Sequence, residues 1–266
     1  MTRTFITFAC EGSQLAGTLD HGDADVGLLI VSGGNELRSG AFSGMSQLAA
    51  RIAHAGFPVF RFDRRGVGDS EGENRGFLHS GPDIAAAVEA YQKHAPHMRR
   101  IIAFGNCDGA SALALHSGNG FDALVLSNPW TIEDKDDTPP PAAIRARYAE
   151  KLRNPRELGR LLKGQVSFGK LARGVIHAMR PAPPSGSLAD AVREGINRFD
   201  GPVRILLAER DRTAQVFAAG WDKNDPRVQR CANASHAYAE PQSREWLYTA
   251  LMESLTNEQA CQLNVG

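Results

Sequence analysis

Phe104-Gly105-Asn106-Cys107-Asp108-Gly109-Ala110-Ser111 joins an apolar run, Ile101-Ile102-Ala103-Phe104, to a run of small and apolar residues that continues through Ala112-Leu113-Ala114-Leu115-His116. Glycines at −2 and +2 from Cys107 suit a sharp turn from strand into helix, because a side chain at either place would collide across the bend. The spacing predicts a nucleophile elbow that presents Cys107, although burial in an apolar core is the commonest fate of a free cysteine. A bare G-x-C-x-G arises by chance. The strand before it and the helix after it give the motif its weight.

Outward from the elbow, strand and helix signals alternate. Residues 3–8 and 14–19 read as a hairpin pair, Val26 to Val31 as a buried strand, Phe42 to Ala55 as a helix and Pro58 to Phe62 as a strand. Ile84 to His94 is again helical, Arg100 to Phe104 leads into the elbow, and Ala123 to Leu126 is a further apolar strand. This rhythm predicts an α/β fold with a mostly parallel sheet, helices on both faces and antiparallel edge strands at the start. Catalytic groups then belong at the carboxyl ends of the strands. From Thr131 to about Arg198 the rhythm breaks into charged, proline-rich sequence, and it resumes with the strand Val203 to Ala208. We expect a core of residues 1–130 and 199–266 with a helical cap insertion over 131–198, whose apolar Phe168, Leu171, Val175, Ile176 and Met179 either line a substrate pocket or pack the cap onto the sheet. A plain solvent-facing excursion is the alternative.

Composition narrows the functions open to the chain. Its 266 residues carry 30 basic and 30 acidic side chains, a formal net charge of +0, so nucleic acid is not an expected partner. The N-terminus alternates and soon meets Glu11, unlike a signal peptide, and no run of eighteen apolar residues occurs; a cytoplasmic protein without a transmembrane segment is expected. The cysteines at 10, 107, 231 and 261 have neither metal-ligand spacing nor a C-x-x-C pair, so reduced thiols and no metal are expected. Gly66-Val67-Gly68 lacks the full dinucleotide fingerprint, and no cofactor is expected.

A thiol nucleophile needs a base, and the base needs an orienting acid. Glu209-Arg210-Asp211-Arg212-Thr213 follows the strand ending at Ala208, and Asn233-Ala234-Ser235-His236-Ala237-Tyr238 follows a short strand over Val228 to Ala232. His236 is the expected base and Asp211 its orienting acid, with Glu209 the alternative if the strand ends earlier. Oxyanion donors are expected from the Asp108 N–H at the helix start and from Ser32-Gly33-Gly34-Asn35, at Gly34 or Asn35. The Asp108 carboxylate opposes ionisation of Cys107 if it points inward. Asn106, Asn128 and Trp130 are candidates for the substrate pocket; Asn106 facing the neighbouring strand and Trp130 pinning the cap are the structural alternatives.

On these residues the chain resembles the α/β-hydrolases of the serine aminopeptidase-like or lysophospholipase-like branch, which share the order nucleophile, acid, histidine and an acidic-arginine-glycine segment after the fourth strand. Here that segment is Asp63-Arg64-Arg65-Gly66-Val67-Gly68-Asp69-Ser70-Glu71-Gly72, and the resemblance implies structural roles for Asp63 and Arg65. A narrower likeness lies in GNCDGAS at 105–111, LSNPWT at 126–131 and VSGGNELRSGA at 31–41, which are similar to the hydrolase 1 group associated with the exosortase A system. It implies an acyl-processing enzyme accessory to exopolysaccharide and exosortase pathways. Members of the wider superfamily mostly carry serine at the elbow. The expected function is hydrolysis of an ester or thioester through Cys107, His236 and Asp211 by way of an acyl-enzyme, the partner being a small acyl substrate, free or carrier-bound. An acyltransferase with the same triad and a non-catalytic binding or scaffold protein remain as alternatives, and the oligomeric state is open.

Overall fold

Val26–Val31 is buried along its whole length, and alternate side chains go to opposite faces: Leu29 and Val31 to one layer of core, Val26, Leu28 and Ile30 to the other. That two-sided burial is what a central parallel strand requires. In the computed structural model, which describes residues 2–118, 120–133 and 187–263, this strand is β3 of an eight-stranded sheet. The strands are β1 (Arg3–Cys10), β2 (Ser13–Asp20), β3 (Val26–Val31), β4 (Val59–Phe62), β5 (Arg100–Asn106), β6 (Ala123–Ser127), β7 (Val203–Ala208) and β8 (Val228–Cys231), in the order β1-β2-β4-β3-β5-β6-β7-β8. The β1–β2 and β2–β4 pairs are antiparallel and the rest are parallel. This is the α/β-hydrolase topology expected from the sequence.

Helices cover both faces. On one, α2 (Gly81–His94), α3 (Asp108–Leu115) and α4 (Leu188–Arg198) bring Ile84, Leu113, Val192 and Ile196 against Phe60, Ala103 and Leu126; α5 (Arg212–Gly220) adds Phe217. On the other, α1 (Gly44–His54) and α6 (Pro241–Leu263) bring Leu48, Ile52, Leu247, Leu251 and Leu255 against Val59, Ile102 and Phe104. Two helix starts depart from expectation by two residues or more, and β1 and β5 each run two residues further than expected. The helix expected from Phe42 begins at Gly44, because Phe42 and Ser43 hold left-handed backbones, at φ 52° and 59°, and Ala41–Ser43 forms a separate 3-10 turn. The helix expected from Ile84 begins at Gly81, where Pro82 is tolerated in the first turn and Asp83 complements the helix dipole. Most of the expected cap, residues 134–186, lies outside the described residues.

The acidic-arginine-glycine segment ties the sheet to its loops. Asp63, fully buried at the end of β4, accepts from the Arg38 N–H at 2.6 Å and the Asp69 N–H at 3.1 Å and is paired with the Arg38 guanidinium. Arg65 is held by Glu11 and by Asp83, whose carboxylate also accepts the Arg65 N–H at 3.0 Å. The Arg38–Asp63 and Arg65–Asp83 pairs are largely removed from water, so loss of one partner would strand the other, whereas Glu11 is exposed.

Gly195 of α4 lies directly on α3: a Cβ there would come within 2.7 Å of the Ala114 carbonyl carbon, and it is backbone, not a movable side-chain tip, that stands in the way. Alanine would gain about 1 kcal/mol in helix propensity but must push the two helices apart, at about 1–3 kcal/mol. Gly195→Ala is therefore expected to lower the melting temperature by a few degrees. A higher value in a thermal melt would show that α4 is not seated on α3.

Candidate active site

The elbow owes its shape to close backbone approach. A Cβ on Gly105 would lie 2.6 Å from the Gly109 carbonyl carbon, and one on Gly109 would meet the Val31 carbonyl and lie 3.1 Å from the Ser32 carbonyl carbon. Both positions therefore accept only glycine, as the motif predicts. Cys107 stands between them at φ 60°, ψ −128°, half-exposed, as the N-cap of α3. Its N–H donates to the Ser127 carbonyl at 3.0 Å, and its own carbonyl accepts from Ala110, Ser111 and Trp130 at 3.1, 3.3 and 3.2 Å. The backbone is thus fixed from both sides of the turn.

His236 follows β8 and Asp211 follows β7, and the two meet beside the elbow: Nδ1 of His236 lies 3.0 Å from Oδ1 of Asp211. The other carboxylate oxygen of Asp211 caps α5, accepting the Ala214 N–H at 3.0 Å, so the acid is oriented by the helix it starts. Asp211 is buried, whereas the alternative acid Glu209 is exposed. The pKa of His236 is pushed up to about 10, first by the bond to Asp211 and then by the neighbouring Cys107, against the opposing effect of burial.

The expected oxyanion donors are less simply arranged. Gly34 has the left-handed backbone its loop needs, at φ 56°, but its N–H donates to Oδ1 of Asp108 at 2.6 Å. The same oxygen lies 3.3 Å from an Arg64 guanidinium nitrogen, which also donates to the Gly34 carbonyl. One expected donor is therefore covered by the elbow's own aspartate. The Asp108 carboxylate is turned onto the Gly34 loop, where Arg64 neutralises it. Its backbone N–H, first in α3, has no protein partner among the described residues. Asn35 is exposed and its side chain accepts from Asn74 at 2.7 Å.

Asn106 and Asn128 spend their amides on protein groups. Asn106 donates to the His236 carbonyl at 3.1 Å; Asn128 donates to Asn106 at 2.9 Å and accepts the Ala208 N–H at 2.8 Å. Together they fasten the histidine loop to the ends of β5, β6 and β7, a positioning role. The Trp130 carbonyl accepts from Ser111 at 2.7 Å, which pins the segment after β6 to α3. Sequence reading passed over Arg64, since nothing in Asp63-Arg64-Arg65 distinguishes the arginine that faces the site from the one that faces Asp83. It also passed over Tyr238, whose hydroxyl lies 2.8 Å from the Ser127 hydroxyl, locking the histidine loop to β6. Among the described residues no cluster of side chains suits a metal ion, and no helix is long and apolar enough to cross a membrane.

Comparison with known proteins places this geometry. The sequence profile described as serine aminopeptidase, S33, matches residues 23–170. Similar folds occur in the esterase Pf2001 of Pyrococcus furiosus (18% identity, 96% of this chain and 90% of that one covered, TM-score 0.64). They occur also in Est1E of Butyrivibrio proteoclasticus with ferulic acid bound (16%, 96% and 99%, TM-score 0.61), and in an alpha-beta serine hydrolase homologue of Coxiella burnetii (15%, 96% and 98%, TM-score 0.57). None of the curated proteins compared with the chain matches it in sequence. The family match overturns the expectation of a cysteine-based ester or thioester hydrolase: the family is one of serine-type hydrolases, even though the residue at position 107 is a cysteine. Nothing in these comparisons connects the chain to the exosortase-associated group, and the exopolysaccharide role that likeness implied is withdrawn. The matched stretch exceeds half of the chain, which belongs to the serine aminopeptidase S33 family of α/β-hydrolases.

Proposed function

We propose that the chain hydrolyses a small ester or related acyl compound with the serine-type chemistry of its family, at the site around the elbow. The observation that carries this reading is the Asp211–His236 pair, assembled from the ends of two separate strands and set against residue 107. Asp211 holds the imidazole in one orientation; His236 takes a proton from the attacking group and returns it to the leaving alcohol. Residue 107 stands at the point of attack. The Asp108 N–H, reinforced by the dipole of α3, receives the developing oxyanion, and the Gly34 and Asn35 N–H groups are the further donors when the Asp108 carboxylate gives way. The names of similar folds support the substrate class: one is an esterase, and another holds ferulic acid.

Because the family's chemistry calls for serine at the elbow, Cys107→Ser is the informative variant. It is expected to hydrolyse p-nitrophenyl acetate at least as fast as the wild type, whereas Cys107→Ala and His236→Ala fall by about a thousandfold or more. Should Cys107→Ser prove as inactive as Cys107→Ala, serine-type chemistry on this scaffold is ruled out.

The raised pKa of His236 fixes the pH dependence. A base protonated up to about pH 10 becomes free only as that value is approached, so wild-type hydrolysis is expected to climb through the alkaline range. In Cys107→Ser one of the two neighbours that raise it is altered, and the inflection moves to lower pH. A rate that is flat from pH 7 to 10 in both proteins would contradict the assignment of His236 as base.

The same shift acts on stability. Above the ordinary 6.5 the unfolded chain has released the histidine proton, while the folded chain keeps it to about 10. The contribution is therefore complete below 6.5 and is lost as pH rises through 10. In urea unfolding, the advantage of wild type over His236→Gln is expected to shrink between pH 6 and pH 10; an advantage that does not change with pH means that the ring is not held charged.

A further inference from the structure

A pocket of about 510 Å³ opens between the start of α1 and the start of α6, away from the elbow but against the loop that carries His236. Its size is that of a small-molecule site. Phe42, Met45 and Leu48 form one wall and Leu247 the other, with Ala237, Tyr238 and Ala239 of the histidine loop at its end. Along α1 the lining residues recur from Gly44 to Arg51, about 10 Å of helix at 1.5 Å per residue, so the space is elongated.

Two features show that this pocket is built. Phe42 is 88% exposed and has a left-handed backbone, φ 52°, while Tyr238 of the histidine loop has φ 50°. A bulky aromatic residue rarely accepts that conformation, and such strain gathers at ligand sites. The second feature is charge. Of the three ionised groups that line the pocket, Arg51 and Glu245 neutralise each other through two hydrogen bonds of 2.6 and 2.9 Å, with Arg51 also stacked 4.0 Å over Tyr248. Arg244 remains: its guanidinium has no ion-pair partner among the described residues. The pocket is an apolar slot whose ionised lining carries one net positive charge, with Arg244 also within electrostatic reach of Glu245.

We propose that this pocket binds a straight-chain carboxylate, a medium-chain fatty acid, with the chain between Phe42, Met45, Leu48 and Leu247 and the carboxylate at Arg244. A chain fits the long apolar walls, and a single negative charge matches the surplus cation. Because Tyr238 stacks on Trp246 with ring centroids 6.1 Å apart, and Ala237 directly follows His236, the occupant touches the segment that positions the histidine. The site is independent of the proposed hydrolysis and does not require turnover.

The test is calorimetric titration of the whole chain with hexanoate, octanoate and decanoate, with decyltrimethylammonium as the cationic counterpart, and photo-crosslinking with a diazirine-bearing decanoate. Affinity is expected to rise about three- to fourfold per added methylene and to exceed that for the ammonium compound. The label should fall on residues 41–51 and 237–247. Arg244→Gln should weaken decanoate by about threefold, as an exposed ion pair allows, and Ala239→Trp, at an exposed rim position, should weaken it further by filling the mouth. Cys107→Ala should bind decanoate as the wild type does, which separates this site from failure of the proposed chemistry. Absence of carboxylate binding, equal affinity for the ammonium compound, or labelling confined to other segments would each overturn the proposal.

Discussion

Everything at the site depends on one strained backbone, that of Cys107. A non-glycine residue at φ 60°, ψ −128° costs about 1–3 kcal/mol and persists only where its surroundings over-determine it. Here they do so with four backbone hydrogen bonds, one from its N–H to β6 and three to its carbonyl from α3 and the irregular segment after β6. Those bonds form only because Gly105 and Gly109 let the end of β5 and the start of α3 cross almost in contact. The strain is thus held by packing spread over three elements, and the side chain at 107 is left facing outward with α3 behind it.

A second layer of constraint is electrostatic. Asp20, Arg61, Asp63, Arg64 and Asp83 are all buried in or beside the sheet, an arrangement that would be costly for any of them alone. Each is paired: Arg61 with Asp20, Asp63 with Arg38, Asp83 with Arg65, Arg64 with Asp108. The pairs do not run at random. Asp63–Arg38 joins the loop after β4 to the loop after β3 and Arg64–Asp108 joins it to the elbow, which are the loops the site is made of; Arg61–Asp20 ties β4 to β2, and Arg65–Asp83 ties the loop after β4 to α2. Buried ion pairs add little to stability beyond what apolar side chains would give, but they tolerate few geometries; they act here to fix loop positions.

How far these relations were legible in the sequence follows from how local they are. The elbow was legible because two glycines, an apolar run and a small-residue run lie within a dozen positions. The strands were legible because burial on both faces leaves continuous apolar runs such as Val26 to Val31. His236 and Asp211 could be placed at strand ends, though 25 residues separate them, because each follows a recognisable strand. The register of charges was not legible. Which of Arg64 and Arg65 turns to the site depends on where β4 ends and on the turn at Gly66, and both are decided by tertiary contacts. Nor was the break before α1: Phe42 continues an apolar pattern that suits a helix, and only its left-handed backbone removes it. The expectation of thiol chemistry had a different origin. It took the identity of one side chain as the sign of a reaction class, whereas the scaffold around that side chain is common to serine hydrolases.

Asp108 shows how such a scaffold can favour a transition state over a substrate. In the resting arrangement its carboxylate takes the Gly34 N–H in a charge-assisted bond, with Arg64 beside it. Such bonds are roughly twice as strong as neutral ones. A neutral carbonyl oxygen approaching the same donor would exchange a stronger bond for a weaker one, so the ground state gains little from it. On the proposed reading, an oxyanion carries a charge comparable to the carboxylate it displaces, and the exchange becomes nearly even only once the tetrahedral species forms. The Gly34 donor therefore adds nothing to the ground-state complex and is given up without loss only to the tetrahedral species, so it discriminates against the substrate carbonyl in favour of the intermediate. Arg64 completes the balance: it lies close enough to Gly34 to accompany the donor loop, and it remains near the displaced carboxylate, so the exchange leaves no buried charge without a partner.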